Sequence, residues 1–189
     1  MRVVIAEDEA LIRMDLREML EEDGHEVVGE ARDGTEAIAV VRAVRPDLVF
    51  MDVKMPNVDG IEAARTITAE SIAPVVMVTA FSQSRLVEDA AKAGAMAYVV
   101  KPFSRNDLLP AMQVAASRFA EMALLERQVD DLTERLETRK ALDRAKGILM
   151  AGGISEPEAF RRLQRLAMDK RKSLLEVAEA VITAEELKG

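Results

Sequence analysis

Residues 47–52, DLVFMD, decide the fold, because four consecutive apolar residues stand there between two aspartates. A short apolar run with polar ends is typical of a strand that is buried on both faces. Similar runs recur along the first part of the chain, and the segments between them carry apolar residues three and four apart, which is the helix period. The predicted strands are Arg2–Ala6, Glu26–Ala31, Asp47–Met51, Pro74–Val78 and Ala95–Val100. This alternation predicts an α/β fold whose parallel sheet is covered by helices on both faces.

Acidic and polar residues stand where the predicted strands end, at Glu7, Asp8, Asp52, Thr79 and Lys101. The carboxyl ends of parallel strands share one edge of a sheet, and open α/β sheets bind their ligands at that edge. Carboxylates gathered there repel one another and need a cation. Oxygen ligands without Cys or His favour Mg²⁺. One such residue alone would be uninformative, but five at the ends of four of the five predicted strands indicate a site.

These residue types suit phosphoryl transfer to a carboxylate. Asp52 is the candidate nucleophile, since it ends the central strand. Glu7 and Asp8 are candidate metal ligands, and the metal would neutralise charge on the phosphoryl oxygens. The hydroxyl group of Thr79 and the ammonium group of Lys101 would contact the same oxygens.

The same residues resemble the receiver domain of two-component response regulators, and the resemblance covers residues 1–117. The motifs that carry it are Val3–Ala6 with Glu7-Asp8, Leu48–Asp52, Met55-Pro56 with Asp59-Gly60, Thr79-Ala80 and Tyr98–Phe103. The resemblance implies a flavodoxin-like, doubly wound sheet of five parallel strands in the order 2-1-3-4-5.

The resemblance also implies roles for individual residues. It implies that a partner sensor histidine kinase phosphorylates Asp52, and that the peptide bond before Pro102 is cis. The implied ligands of Mg²⁺ are Glu7, Asp8, Asp52 and the backbone carbonyl of Lys54. The residues implied to contact the phosphoryl group and act as a switch are Thr79, Tyr98 and Lys101. Glu7 stands where the family more often has aspartate, a departure that leaves the metal site intact.

Charge is unevenly distributed along the chain, whose net charge is −8. Residues 1–117 hold 12 basic and 20 acidic residues, whereas residues 118–189 hold 14 of each. Within the second part, residues 139–172 hold 10 basic and 4 acidic residues, a local charge of +6. This segregation suggests an acidic control domain and a basic contact surface, although a basic stretch is more often a solvated helix face.

A helical pattern begins after Pro102. Ser104 and Asp107 predict a capped helix start, and Pro110 predicts a kink or a later start. Apolar residues then recur at positions 108, 112, 115, 119, 122, 125, 129, 132 and 136, a heptad-like seam with one phase slip. We expect residues 118–138 to be a coiled-coil-like linker that can support a phosphorylation-dependent homodimer.

Residues 139–189 are predicted to form a small all-α module of three helices. The first helix ends at Gly152-Gly153, and capping boxes at Ser155–Glu158 and Ser173–Glu176 start the other two. The helix period places Phe160 in the interior of this module. No aromatic surface for base stacking is therefore expected.

One face of the first helix in this module combines Lys140, Arg144 and Gly147, spaced four and three apart. A residue without a side chain lets nucleic acid approach the helix backbone, and Lys and Arg side chains hold phosphates. Lys146 and Arg165 add positive charge nearby. On these residues alone, a nucleic-acid surface and a solvated basic face are evenly balanced.

Residues 141–150, ALDRAKGILM, together with Glu158-Ala159-Phe160 and Val177-Ala178, resemble the ANTAR domain. The resemblance implies a three-helix module that binds paired RNA stem-loops in nascent transcripts and prevents formation of a terminator. The whole arrangement is similar to the actinobacterial phosphorylation-dependent transcriptional antiterminators. The expected RNA-binding residues are Lys140, Arg144, Lys146, Gly147 and Arg165.

Other outputs stay open at this point. A DNA-binding regulator with the same receiver is one alternative, although no short turn presents a recognition helix. A relay acting purely by protein contact is another. An enzymatic output is least expected, because residues 118–189 contain neither His nor Cys. No apolar run approaches the roughly 20 residues of a membrane helix, and Met1-Arg2 lead directly into a strand, so we expect a cytoplasmic protein without membrane contacts.

Overall fold

The computed structural model describes residues 1–80 and 89–187. The chain contains two compact units, Met1–Leu124 and Leu125–Gly189. None of the helices in the described ranges is both long and apolar enough to cross a membrane.

The first unit is built on one sheet of five parallel strands in the order β2-β1-β3-β4-β5. The strands are β1 (Arg2–Ala6), β2 (Glu26–Ala31), β3 (Leu48–Asp52), β4 (Val75–Thr79) and β5 (Ala97–Val100). This confirms the predicted fold class and strand order. β3 and β4 each end one residue later than predicted, because their polar last residues still pair with the neighbouring strand. Asp52 pairs with Val78, and Thr79 pairs with Val100.

Helices cover both faces of this sheet. They are α1 (Ala10–Glu22), α2 (Gly34–Val44) and α3 (Gly60–Ala69), followed by the long helix α4 (Arg105–Ala151). One buried cluster joins α2 and α3 to the sheet, and a second joins α1 and the first turns of α4 to its other face. All residues of β3 and β4 are buried, as the continuous apolar runs predicted.

The start of α4 corrects one expectation. The Ser104 backbone N–H donates to Asp107 Oδ2 at 2.8 Å, and the helix begins at Arg105, ahead of Pro110. The predicted later start is therefore wrong. Proline removes the hydrogen bond that the carbonyl of Asn106 would otherwise accept. Because Asn106 and Pro110 are both exposed, water can satisfy that carbonyl.

The second unit has a small helical core of its own. After α4 come α5 (Glu156–Lys170) and α6 (Leu174–Glu186), and each begins with the capping box that the sequence predicted. Gly153, just past the end of α4, has a φ of 90°, a conformation that ends a helix and that glycine adopts without strain. The buried residues that form this core are mostly small: Ala145, Leu163, Ala167, Val177 and Ala178.

Candidate functional site

The ends of β1 and β3 bring three carboxylates together. One carboxylate oxygen from each of Glu7, Asp8 and Asp52 lies within 4.8 Å of the other two. Glu7 and Asp52 are only 1% and 6% exposed, whereas Asp8 is exposed. The Lys54 backbone N–H donates to Asp52 Oδ2 at 3.2 Å, so the backbone after β3 holds this carboxylate.

Lys101 connects two of these carboxylates from the end of β5. Its Nζ lies 2.7 Å from Glu7 Oε2 and 3.0 Å from Asp52 Oδ1. Burial raises the pKa of both Glu7 and Asp52, and the hydrogen bonds from Lys101 oppose that rise. Although burial acts to lower the pKa of Lys101, its two carboxylate partners raise it above the ordinary value. The lysine is therefore a fixed positive charge at this site.

A shallow cavity of about 170 Å³ opens beside these groups. Asp8, Asp52, Thr79 and Lys101 line it, as does Lys54. Thr79 is buried at the end of β4, whereas Tyr98 is 51% exposed on β5 and does not line the cavity. Val100 on β5 pairs with Thr79 on β4, and Tyr98 lies two residues before Val100. Because side chains alternate between the two faces along a strand, Tyr98 and Thr79 lie on the same face of the sheet. The peptide bond between Lys101 and Pro102 is cis, as expected.

Arg13 is a residue of this region that sequence reasoning missed. Its side chain is buried, its Nη1 donates to the Glu7 carbonyl at 2.6 Å, and its Nε donates to Glu30 at 3.3 Å. It thereby fixes the backbone between β1 and α1, from which Glu7 and Asp8 project. The sequence could have identified Arg13 from its helical spacing to Leu16 and Leu20, which places its charge on the buried face of α1.

Gly60 has a steric role next to the site. A Cβ atom on Gly60 would lie 1.8 Å from the carbonyl oxygen of Asp52. The Gly60 backbone N–H donates to the Val53 carbonyl at 3.0 Å, which ties the start of α3 to the end of β3. The sequence identified Asp59-Gly60 only as part of a motif that resembles the receiver domain.

The predicted RNA-binding residues lie in different electrostatic surroundings in the second unit. Lys140 and Arg165 are exposed. Arg144 Nη2 lies 2.7 Å from Glu186 Oε1 on α6. Gly147 is also exposed, and a Cβ added there would meet no atom within 4 Å. Packing within the protein therefore does not require glycine at this position.

Lys146 is directed to another side of α4 than Lys140 and Arg144. Its Nζ lies 2.8 Å from Asp143 and 2.9 Å from Glu156 at the start of α5. These hydrogen bonds raise the pKa of Lys146, and the hydrogen bond from Lys146 lowers the pKa of Asp143. The structure thus brings Lys140, Arg144 and Gly147 together on one face and places Lys146 outside it.

The expectation for Phe160 is wrong. The side chain is 37% exposed and lines a groove beside α4. The buried stripe of α5 is Ala159, Leu163 and Ala167. Because this stripe is narrow and contains two alanines, α5 packs closely, and the neighbouring ring stays at the edge of the core.

Two family models match the chain. The response regulator receiver domain matches residues 3–113, and the ANTAR domain matches residues 130–182. Together they span both compact units.

Individual relatives agree with these matches. The transcriptional regulatory protein PdtaR of Mycobacterium tuberculosis is 59% identical over 182 residues, which are 96% of this chain and 89% of the relative. The receiver domain of the response regulator NarL from the same organism has a TM-score of 0.59 at 30% identity, over 61% of this chain and 95% of that domain. A CheX–CheY complex with BeF3 and Mg²⁺ from Borrelia burgdorferi has a TM-score of 0.56 at 29% identity, over 62% of this chain and 88% of that one. The chain belongs to the response regulators that combine a receiver domain with an ANTAR domain.

Proposed function

We propose that this response regulator is phosphorylated on Asp52 by a sensor histidine kinase and then binds RNA stem-loops, preventing transcription termination. The observation that carries the proposal is the acidic edge of the sheet, where Asp52 contacts Lys101 beside Glu7 and Asp8. The ANTAR match supports the RNA output, since that region also carries the exposed basic face.

In the phosphorylation step, an Asp52 carboxylate oxygen attacks the phosphorus atom of a phosphohistidine on the kinase. The bond from phosphorus to the histidine nitrogen breaks, and an acyl phosphate forms on Asp52. The Lys101 ammonium, fixed 3.0 Å from Asp52, would neutralise charge that develops on the phosphoryl oxygens. Thr79 lines the same cavity and would offer its hydroxyl group to those oxygens.

The carboxylates fit a magnesium ion. Glu7 and Asp52 are almost fully buried, and burial raises the pKa of each, so a further positive charge beside them is favourable. Glu7, Asp8 and Asp52 would hold Mg²⁺ together with the carbonyl of Lys54. Bound Mg²⁺ neutralises charge on phosphoryl oxygens. The CheX–CheY complex, which contains both Mg²⁺ and BeF3, supports this assignment.

The switch proposed for the receiver uses Thr79 and Tyr98. A phosphoryl group on Asp52 would draw the Thr79 hydroxyl group towards it. Tyr98, half-exposed on the same face of the sheet, would then move into the space that Thr79 leaves. The surface around β4 and β5 would change as a result.

The RNA-binding surface is proposed to be the face of α4 that carries Lys140, Arg144 and Gly147, with Lys146 and Arg165 contributing charge nearby. The open space at Gly147 lets a phosphate backbone approach the helix closely. Arg144 would exchange its exposed partner Glu186 for RNA phosphates. Such an exposed pair contributes little and is readily replaced.

A homodimer is proposed as the phosphorylated form. The seam residues Leu125, Val129, Leu132 and Leu136 are 53–63% exposed, so they form an apolar stripe along α4 in the single chain. A second copy would cover that stripe as a coiled coil. Sedimentation velocity with and without acetyl phosphate tests this, and a protein that stays monomeric while showing full phosphorylation-dependent RNA affinity contradicts it.

Crosslinking of bound RNA in cells, followed by sequencing, tests the proposed function. Asp52→Asn should lose acyl-phosphate formation and the phosphorylation-dependent RNA, whereas Asp15→Asn, the same change at an exposed site on α1, should retain both. Stoichiometric labelling of Asp52→Asn would refute the assignment of the phosphoacceptor. Recovery of duplex DNA in place of RNA would favour a DNA-binding regulator, and recovery of neither would favour a protein-contact relay.

A further inference from the structure

A groove of about 580 Å³ runs along α4 beside the start of α5, on the side where Lys146 lies. We call it the Phe160 groove, after the aromatic ring at its edge. Only two of its nine lining residues, Leu142 and Phe160, are apolar. The groove is therefore a polar channel with one flat apolar surface.

Phe160 is the only aromatic residue in residues 125–189, and it is 37% exposed. Its neighbours Ala159 and Leu163 are fully buried in the core of the module. A phenylalanine ring gains stability from burial, so a ring left exposed in a groove offers its surface to a ligand. A flat ring bordered by polar groups matches the shape and chemistry of a nucleobase.

The groove is lined by as many basic as acidic residues: Arg135, Arg139 and Lys146, and Asp131, Glu134 and Asp143. Arg139 and Lys146 stand on the lining with Asp143, whose carboxylate lies 2.8 Å from Lys146 Nζ. Cations of this kind suit an RNA phosphate, and a carboxylate can accept hydrogen bonds from the N–H groups of a base edge. An amphipathic helix of a partner protein would instead require a mainly apolar groove.

We propose that the Phe160 groove binds one unpaired nucleobase of the RNA, stacked on the ring of Phe160. In this arrangement Arg139 and Lys146 hold the adjacent phosphate, and Asp143 accepts a hydrogen bond from the edge of the base. The inference rests on the proposed RNA binding and adds a second contact to it. The face with Lys140, Arg144 and Gly147 holds the backbone of a stem, whereas the Phe160 groove reads a base of a loop.

The experiment compares RNA affinities of phosphorylated full-length protein by fluorescence anisotropy. The probe is a dye-labelled RNA with two stem-loops, used intact and with one loop base at a time removed as an abasic site. The variants are Phe160→Leu, which keeps apolar volume but removes the ring, and Phe160→Trp, which restores a stacking surface. Stacking on one base is worth about 1–3 kcal/mol, so Phe160→Leu should weaken binding by roughly 5-fold to 150-fold. Phe160→Trp should recover most of that loss.

Two further readouts separate stacking from other roles. Since no charge changes, Phe160→Leu should leave the dependence of affinity on salt unchanged. One abasic position should weaken the wild-type complex but leave Phe160→Leu unaffected, because the removed base no longer has a partner. Thermal unfolding followed by circular dichroism shows whether the module of each variant is folded.

Each outcome bears on a different conclusion. Wild-type protein that binds no RNA would overturn the proposed function itself. Wild-type affinity in a folded Phe160→Leu variant, or an equal loss from abasic sites in both proteins, would overturn only the stacking proposal. Loss of affinity together with loss of self-association in sedimentation would show that Phe160 contacts a second copy of the chain, which would also overturn it.

Discussion

Gly60→Ala should damage both the stability of the receiver and its chemistry, because the new Cβ would lie 1.8 Å from the Asp52 carbonyl oxygen. The obstacle is backbone at the end of a fully buried strand, so no flexible side chain can move aside. Overpacking of a core costs about 1–3 kcal/mol, and occasionally more. Alanine recovers up to about 1 kcal/mol of helix propensity. We expect a net destabilisation of roughly 2 kcal/mol, which corresponds to about 30-fold more frequent opening of β3.

Hydrogen exchange of the full-length protein, followed by mass spectrometry, localises this change to peptides from β3 and α3. Gly147→Ala is the matched control. A Cβ there meets nothing within 4 Å, so that variant should be stabilised by about 0.5–1 kcal/mol. Because relief of the clash moves the backbone of Asp52, the rate of phosphorylation by acetyl phosphate should fall by about 100-fold. Unchanged exchange in β3 and an unchanged rate of phosphorylation would refute the steric argument.

Three further outcomes follow from the ion pairs. Lys101→Met removes the cation beside Glu7 and Asp52, whose pKa values are raised by burial above the ordinary 4.5 and 3.8. The folded state of this variant then binds more protons than the unfolded chain. The free energy of unfolding therefore falls as the pH rises above those values. The melting temperature of this variant in EDTA should decline more steeply than that of the wild type as the pH rises above the ordinary carboxylate pKa values, and parallel curves would contradict this. Arg144→Ala should weaken RNA binding and reduce the log–log salt slope by roughly 0.7; a slope and an affinity at wild-type values would identify the surface as a solvated face. Glu186→Gln releases Arg144 from its 2.7 Å contact and should increase RNA affinity by up to about fivefold, whereas unchanged affinity would show that this ion pair does not compete with RNA.

The strands and the parallel sheet could be predicted because each strand is encoded locally, whereas the strand order came from the resemblance to the receiver domain. A run such as residues 48–52 is apolar enough to be buried on both faces, and its polar last residue marks the ligand-binding edge. Lys101, Glu7 and Asp52 were placed together by this reasoning, and their nitrogen and oxygen atoms lie 2.7–3.0 Å apart. Their sequence separation did not matter, since parallel strands bring their carboxyl ends together.

Features set by packing between elements could not be predicted in the same way. The helix period predicted which face of α5 is apolar but not how wide the buried stripe is. Two of the three buried residues of α5 are alanines, and Phe160 lies at the edge of the core. The partner of Arg144, Glu186, is 42 residues away on another helix. Arg13 was overlooked because an arginine in an amphipathic helix is usually exposed. Each of these depends on which helix faces which, a property that no local pattern specifies.

The seam on α4 shows how one sequence pattern can serve two purposes. The same spacing contains Leu108 and Met112, which are 1% exposed beneath the sheet, and Leu125 and Leu132, which are 53% and 63% exposed. Burying such half-exposed side chains in the proposed dimer would contribute roughly 1 kcal/mol each. For four seam residues per chain this sum is similar to the roughly 4–15 kcal/mol that association costs in lost freedom of motion. A dimer so close to balance would respond to a coupling of only about 1–3 kcal/mol from the receiver. In the proposed dimer, this weakness would make the seam responsive to phosphorylation of the receiver.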